Sequence, residues 1–224
     1  MINYIEKSKN VFFIQIGAND GKYDPEKGYF DPLNPLINKY SLRGIIIEPQ
    51  KSVFDNKLRK TYENNLNVIL ENIAIANYTR KKNLYKISFS SARWATGLAS
   101  FSKKVIEKHI ESGRVERKAN EEGVKLPDRR TDYITSEDVY CMTFEDLIKK
   151  HKINRIDIIL TDTEGYDYEI IKMINLDKYL PSIIIFEHKH LSRRDYKKCL
   201  DQLKIHNYKV RTKSGDTIAY QSFL

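Results

Sequence analysis

Five short stretches of this 224-residue chain gather the side chains best suited to hold a polar ligand: Gly17 to Gly21, Glu48-Pro49, Asn72 to Ala74, Asp162 to Gly165 and Glu187-His188. In Gly17-Ala18-Asn19-Asp20-Gly21 the glycines permit a tight turn and let the backbone approach a ligand closely. Glu48 ends an apolar run, where a carboxylate can accept two hydrogen bonds from a vicinal diol such as that of a ribose. The glycine spacing is G-x-x-x-G, and Glu48 lies 31 positions after Gly17, against the ~20 of the nicotinamide-dinucleotide fingerprint. A nucleoside ligand without a pyrophosphate fits better. The plainer alternative for the glycines is a structural strand-to-helix turn.

These stretches can work together only if one sheet edge collects them. Val11 to Ile16, Ile45 to Ile47, Val68 to Ile75, Ile156 to Leu160 and Ser182 to Phe186 are short apolar runs, the pattern of parallel strands buried on both faces. Helical patterns fall between them. Leu33, Leu36, Ile37 and Tyr40 share one helical face, Val53, Phe54, Leu58 and Tyr62 suggest another, and Ile170, Ile171 and Ile174 a third. Thr143 stands as an N-cap three residues before Asp146, and Ser192 can cap a helix carrying Tyr196, Leu200 and Leu203. Tyr208 to Thr212 and Thr217 to Gln221, across the turn Lys213-Ser214-Gly215-Asp216, read as a terminal β-hairpin. Strands alternating with helices predict an α/β fold with a mostly parallel sheet. Ligands bind such sheets outside the carboxyl ends of the strands, where all five stretches fall.

The middle of the chain is less regular. Leu84 to Phe89 adds a strand, Arg93 to Gly97 reads as a loop, Val105 to Ile110 as a helix, and Ser112 to Asp138 as a polar stretch with little periodicity. The expectation is one domain over residues 1–224 with an insertion or lid at about 90–140.

With 41% hydrophobic and 31% charged residues and only 6 Pro and 9 Gly, collagen, coiled-coil rods and wholesale disorder are excluded. A formal charge of +9 invites a nucleic-acid or anionic partner, although most lysines lie singly on polar helix faces. No apolar run approaches the ~20 residues of a membrane span. Met1 to Asn10 lacks the pattern of a secretory leader, so a cytoplasmic chain is expected. Cys141 and Cys199 have no spacing that suggests a metal knuckle or redox pair, and both are expected reduced.

The strings Ile14-Gln15-Ile16-Gly17-Ala18-Asn19-Asp20-Gly21, Asp31-Pro32-Leu33, Gly44-Ile45-Ile46-Ile47-Glu48-Pro49, Glu71-Asn72-Ile73-Ala74-Ile75 and Asp162-Thr163-Glu164-Gly165-Tyr166-Asp167 occur in one order. In that order the chain resembles the FkbM-type family of S-adenosylmethionine-dependent methyltransferases over roughly residues 11 to 190. The resemblance implies a Rossmann-like, seven-stranded methyltransferase fold, and the terminal antiparallel hairpin agrees with it. It also implies S-adenosylmethionine along Gly17 to Gly21 with Glu48 on the ribose, and Gln15, Asn19, Asp20, Asp31, Asn72, Ile73 and Ala74 around the cofactor. The reaction it implies is methyl transfer to a hydroxyl, often on a sugar. Thr163 departs from the aliphatic residue usual at its position.

That implication makes chemical sense of the carboxylates. A sugar hydroxyl is a poor nucleophile at neutral pH, so its attack on a sulfonium methyl needs a base, or a cation that stabilises the forming alkoxide. Asp162 and Glu187 could hold a hard divalent ion, magnesium or manganese, and His188, or secondarily His190, could take the proton. Arg93 and Trp94 could shape the acceptor pocket, the indole stacking on a sugar face. Each has a plainer alternative: Asp162 capping a helix, the histidines in an exposed loop, Trp94 packed in the core. The expected partner is a carbohydrate, with rhamnose as a narrower example. An RNA methyltransferase is the second reading, opposed by the lack of an N-P-P-Y-type tetrad or any RNA-binding module. A binding module without turnover is the third.

Overall fold

A computed structural model of the chain describes residues 1–221. Besides a two-stranded ribbon of Tyr23–Asp24 and Tyr29–Phe30, its strands are β1 (Phe12–Ile16), β2 (Arg43–Ile47), β3 (Val68–Glu71), β4 (Ala74–Ile75), β5 (Lys81–Ile87), β6 (Ile134–Met142), β7 (Ile158–Thr161), β8 (Ile183–Glu187), β9 (Lys209–Lys213) and β10 (Asp216–Tyr220). Seven of them form the main sheet in the order β3-β2-β1-β7-β8-β10-β9. The first five in that order are parallel, and β10 and β9 close the edge as an antiparallel hairpin.

The continuous apolar runs have a simple cause. Successive side chains leave a strand on opposite faces, and both faces of this sheet are covered by helices. Ile14 stands between Ile45 and Ile159 and belongs to the core on one face, whereas Phe13, Ile46 and Ile158 belong to the core on the other. The expected caps form: Thr143 Oγ1 accepts from Asp146 N and Ser192 Oγ from Asp195 N, each at 3.0 Å. Cys141 and Cys199 are buried free thiols.

Three expectations need correction. Val68 to Ile75 is not one strand. The chain breaks after Glu71 because Asn72 Nδ2 donates to the Glu48 and Pro49 carbonyls at 2.8 and 3.0 Å, and β4 then leaves the main sheet. It joins a second sheet, β4-β6-β5, through parallel pairing with Cys141 and Met142. Arg93–Thr96 is a helical turn, not a loop. Within the polar 112–138 stretch lie the helix Arg114–Glu121 and the first half of β6, which pairs antiparallel with β5 from Lys81↔Tyr140 to Ile87↔Ile134. That helix buries only Val115 and Ala119, one turn apart, too thin a stripe to register as periodicity. Among the described residues no helix is long and apolar enough to cross a membrane.

Candidate functional site

β1 runs into Gly17, whose φ of +82° already disfavours a side chain. A Cβ there would lie 1.9 Å from the Asp162 carbonyl oxygen. Glycine is therefore what lets the ends of β1 and β7 approach, and it sets Asp162 beside the turn. The next residues turn toward β2: Ala18 N donates to Ile47 O at 3.1 Å, and Asn19 N to Glu48 Oε2 at 2.8 Å. Glu48 Oε1 accepts from Gln50 N at 2.9 Å. Glu48 is buried, and burial pushes its carboxyl up to about 7 against the pull of these N–H donors.

Gln15 and Asp31 meet under the turn. Gln15 Nε2 donates to Asp31 Oδ2 at 2.6 Å, while Leu33 N and Asn34 N donate to Oδ1. Burial raises the Asp31 carboxyl. Gln15 Oε1 is buried with no protein partner. Asp20 pairs with the Arg93 guanidinium, which also lies over the Tyr29 ring. Thr96, on the same helical turn, bonds Asn19 Nδ2 at 3.1 Å, and its carbonyl accepts from Gln50 Nε2 at 2.9 Å. The Arg93–Thr96 turn is thus strapped across the glycine loop, a role invisible in a segment read as a loop.

A cleft of about 690 Å³ runs along this rim, within the ~300–1,000 Å³ of small-molecule sites. Gln15, Gly17, Asn19, Asp20, Asp31, Glu48, Ala74, Arg93, Trp94 and Asp162 all line it. Gly21, Asn72, Ile73, Glu187 and His188 are not in its wall. Gly21 instead packs against Tyr62 and Leu58, and Asn72 braces the β2 end from behind. Trp94 packs near Phe89, ring centroids 6.3 Å apart, with its Nε1 buried and unpaired.

Beyond Asp162 the rim becomes a cluster of charge. Oxygens of Asp162, Glu164 and Glu187 lie within 4.8 Å of one another, as do ligand atoms of His109, Glu164 and His190. Desolvation, then the charges of Glu187, Glu164 and Asp167, raise Asp162 well above the usual carboxylate range, although its side chain faces the open cleft. Burial and Glu164 push Glu187 up to about 7 against Lys189, with which it pairs. Burial works to raise Glu164 as well, but His109, His190 and Lys189 outweigh it and hold the carboxyl at about 2. His188 faces the terminal hairpin instead: Nδ1 is 2.9 Å from Thr217 Oγ1, and the ring stacks on Tyr196. The histidine that joins the carboxylates is His190, 2.9 Å from Glu164 Oε2.

Sequence reasoning passed over three residues of this cluster. His109 sits on the buried face of the helix Lys103–Glu111 between Ile106 and Ile110 and reads as core. Glu164 was visible within a polar run, but its φ of +49°, followed by Gly165 at +100°, is what turns its carboxylate toward the histidines. Lys189 gave no signal beyond its place beside Glu187.

A search of curated proteins found none that matches the chain. The family comparison does find a match: residues 15–210, from the Gln15 end of β1 to the first strand of the terminal hairpin, fit the methyltransferase FkbM domain, and the chain belongs to that family.

Proposed function

We propose that this methyltransferase is an S-adenosylmethionine-dependent O-methyltransferase acting on a sugar hydroxyl, on a glycan or a glycosylated small molecule. The observation that carries the reading is a single cleft bordered by the buried Glu48 at one place and by Asp162 and Glu164 at another. When bound, the cofactor supplies an electrophilic sulfonium methyl. Glu48 would accept from the ribose diol, the turn from Gly17 to Asp20 would hold the nucleoside, and Gln15 Oε1, without a partner among the described residues, would offer it an acceptor from the cleft wall. Gly21, Asn72 and Ile73 support this wall without touching it.

Asp162 holds the acceptor hydroxyl and takes its proton at a carboxylate oxygen, a role suited to a carboxyl raised above its ordinary range. The donor set also fits a hard cation. Glu164 Oε2 and Glu187 Oε2 are buried without a hydrogen-bond partner, and three carboxylates suit magnesium or manganese. Asp162 and Glu187, with Glu164, would hold that ion, which supplies positive charge where the alkoxide forms. His188 has no part in this reading, because its ring is engaged by Thr217 and Tyr196. Arg93 and Trp94 form acceptor wall, and the segment at about 90–140 acts as the lid of a single cytoplasmic domain.

The test is calorimetry with S-adenosylmethionine, followed by labelled donor and a panel of glycan acceptors read by mass. Stoichiometric uptake and a methylated sugar are expected. No uptake of the methyl donor overturns the reading.

A further inference from the structure

One spot in the molecule crowds buried imidazole and carboxylate atoms whose nearest partners are one another. Among the described residues His109 Nε2, His190 Nε2, Glu164 Oε2 and Glu187 Oε2 are each buried and make no well-formed hydrogen bond. His109 is 9% exposed, Glu164 8% and Glu187 5%. Buried polar atoms that meet without good hydrogen bonds are costly, and four of them facing one common place fit a shared ligand between them.

The spacing says what kind. His190 Nε2 is 2.9 Å from Glu164 Oε2 and 3.7 Å from Glu187 Oε2, and His109 Nε2 is 3.9 Å from Glu164 Oε2. A tetrahedral ion with bonds of ~2.0–2.1 Å keeps its donors roughly 3.3 Å apart, and these distances bracket that value. Two imidazoles and a carboxylate prefer a borderline transition metal to magnesium or calcium, which take oxygen.

We infer that His109, Glu164 and His190 bind a divalent ion of the zinc class, with Glu187 at the fourth corner, and that this ion fastens the helix Lys103–Glu111 to the sheet rim. Its three ligands come from segments far apart in sequence, so binding closes two long loops and stabilises the fold. This set shares Glu164 and Glu187 with the oxygen set of the proposed reaction, so the two ions exclude one another and the histidines decide for the zinc class. Two contacts oppose it: the Lys189 ammonium pairs with Glu187, and the Arg114 guanidinium lies 3.4 Å from His109 Nδ1 and can only donate there, which places the neutral ring's proton on Nε2. Metal binding moves that proton to Nδ1 and displaces Arg114. The arginine therefore weakens the site, and its removal strengthens it.

The experiment titrates the chelator-treated full chain with Co2+, without methyl donor, so that its outcome is independent of any methyl transfer. Expected are a visible d–d spectrum saturating at one equivalent, displacement by Zn2+ but not by equal Mg2+, and paramagnetic shifts in two of the 5 histidine rings. His109→Gln and His190→Gln weaken binding at least about tenfold, and Arg114→Gln tightens it. Absence of stoichiometric Co2+ binding, displacement by equal Mg2+, or unshifted histidine rings in the unmutated chain overturns the inference. The spectrum and ring shifts need no variant, so misfolding of a histidine variant leaves the test intact.

Discussion

The backbone N–H of Asn19 donates to Glu48 Oε2 at 2.8 Å, so the turn after β1 is fastened to the carboxylate that ends β2. Burial nevertheless holds Glu48 at about 7. Hydroxyls of a ribose donate more strongly to the ionised form than to the protonated one. Affinity for S-adenosylmethionine is therefore expected to be full well above pH 7 and to fall as pH drops through it, by at most about tenfold per unit. Glu48→Gln weakens binding roughly ten- to hundredfold and flattens the pH dependence. Calorimetry across that range checks both.

Gly17→Ala drives a methyl group into the Asp162 carbonyl at a backbone angle hostile to side chains. The expected loss is about 3 kcal/mol or more in urea unfolding, through overpacking and strain together. Gly28→Ala is the control. Gly28 also has positive φ, +72°, but a Cβ there meets nothing within 4 Å, so the cost stays near 1 kcal/mol.

Asp162→Asn acts in two directions. Removing the proposed base is expected to lower turnover about a hundredfold to ten-thousandfold. The fold gains: the Asp162 carboxyl is raised in the folded chain, so folded protein holds its proton above the ordinary range and loses stability as pH climbs beyond it. Relief of that loss raises the melting temperature more at alkaline than at acid pH, read in thermal scans without ligand.

Arg93→Ala leaves Asp20 buried without its countercharge. The cost is about 2–3 kcal/mol, below the ~3–5 of a fully buried pair because the Arg93 side chain keeps 24% of its exposure. Combining it with Asp20→Asn restores most of the stability, and a double-mutant cycle on urea midpoints measures the coupling.

The parallel strands and the terminal hairpin were legible in the sequence because each repeats a simple pattern: apolar runs where both faces are buried, and a turn between alternating strands. Asn72 hid the end of β3, since its amide replaces ladder hydrogen bonds with a bond to another strand's end, which no local pattern records. The site was legible where residues end strands, as with Gly17, Glu48 and Asp162. It was illegible where a residue arrives from elsewhere. His109 comes from a helix whose apolar face disguised it, and Arg93 from a turn whose purpose appears only against Asp20. His188 and His190 were both visible, and two positions decided which one joins the carboxylates. Chain direction after β8 sends the first toward the hairpin and the second toward Glu164.

The departure of the chain at Asn72 also limits how the molecule can be shortened. Once β4 has crossed to the smaller sheet, its hydrogen-bonding neighbour is β6, whose residues close the stretch between 90 and 142. Replacing that stretch with a short linker would strand Ala74 and Ile75 as an open edge beside the cleft. Segment deletion here is surgery on a shared wall, and protein engineers grafting a different segment onto this scaffold would have to keep Cys141 and Met142 as the seam.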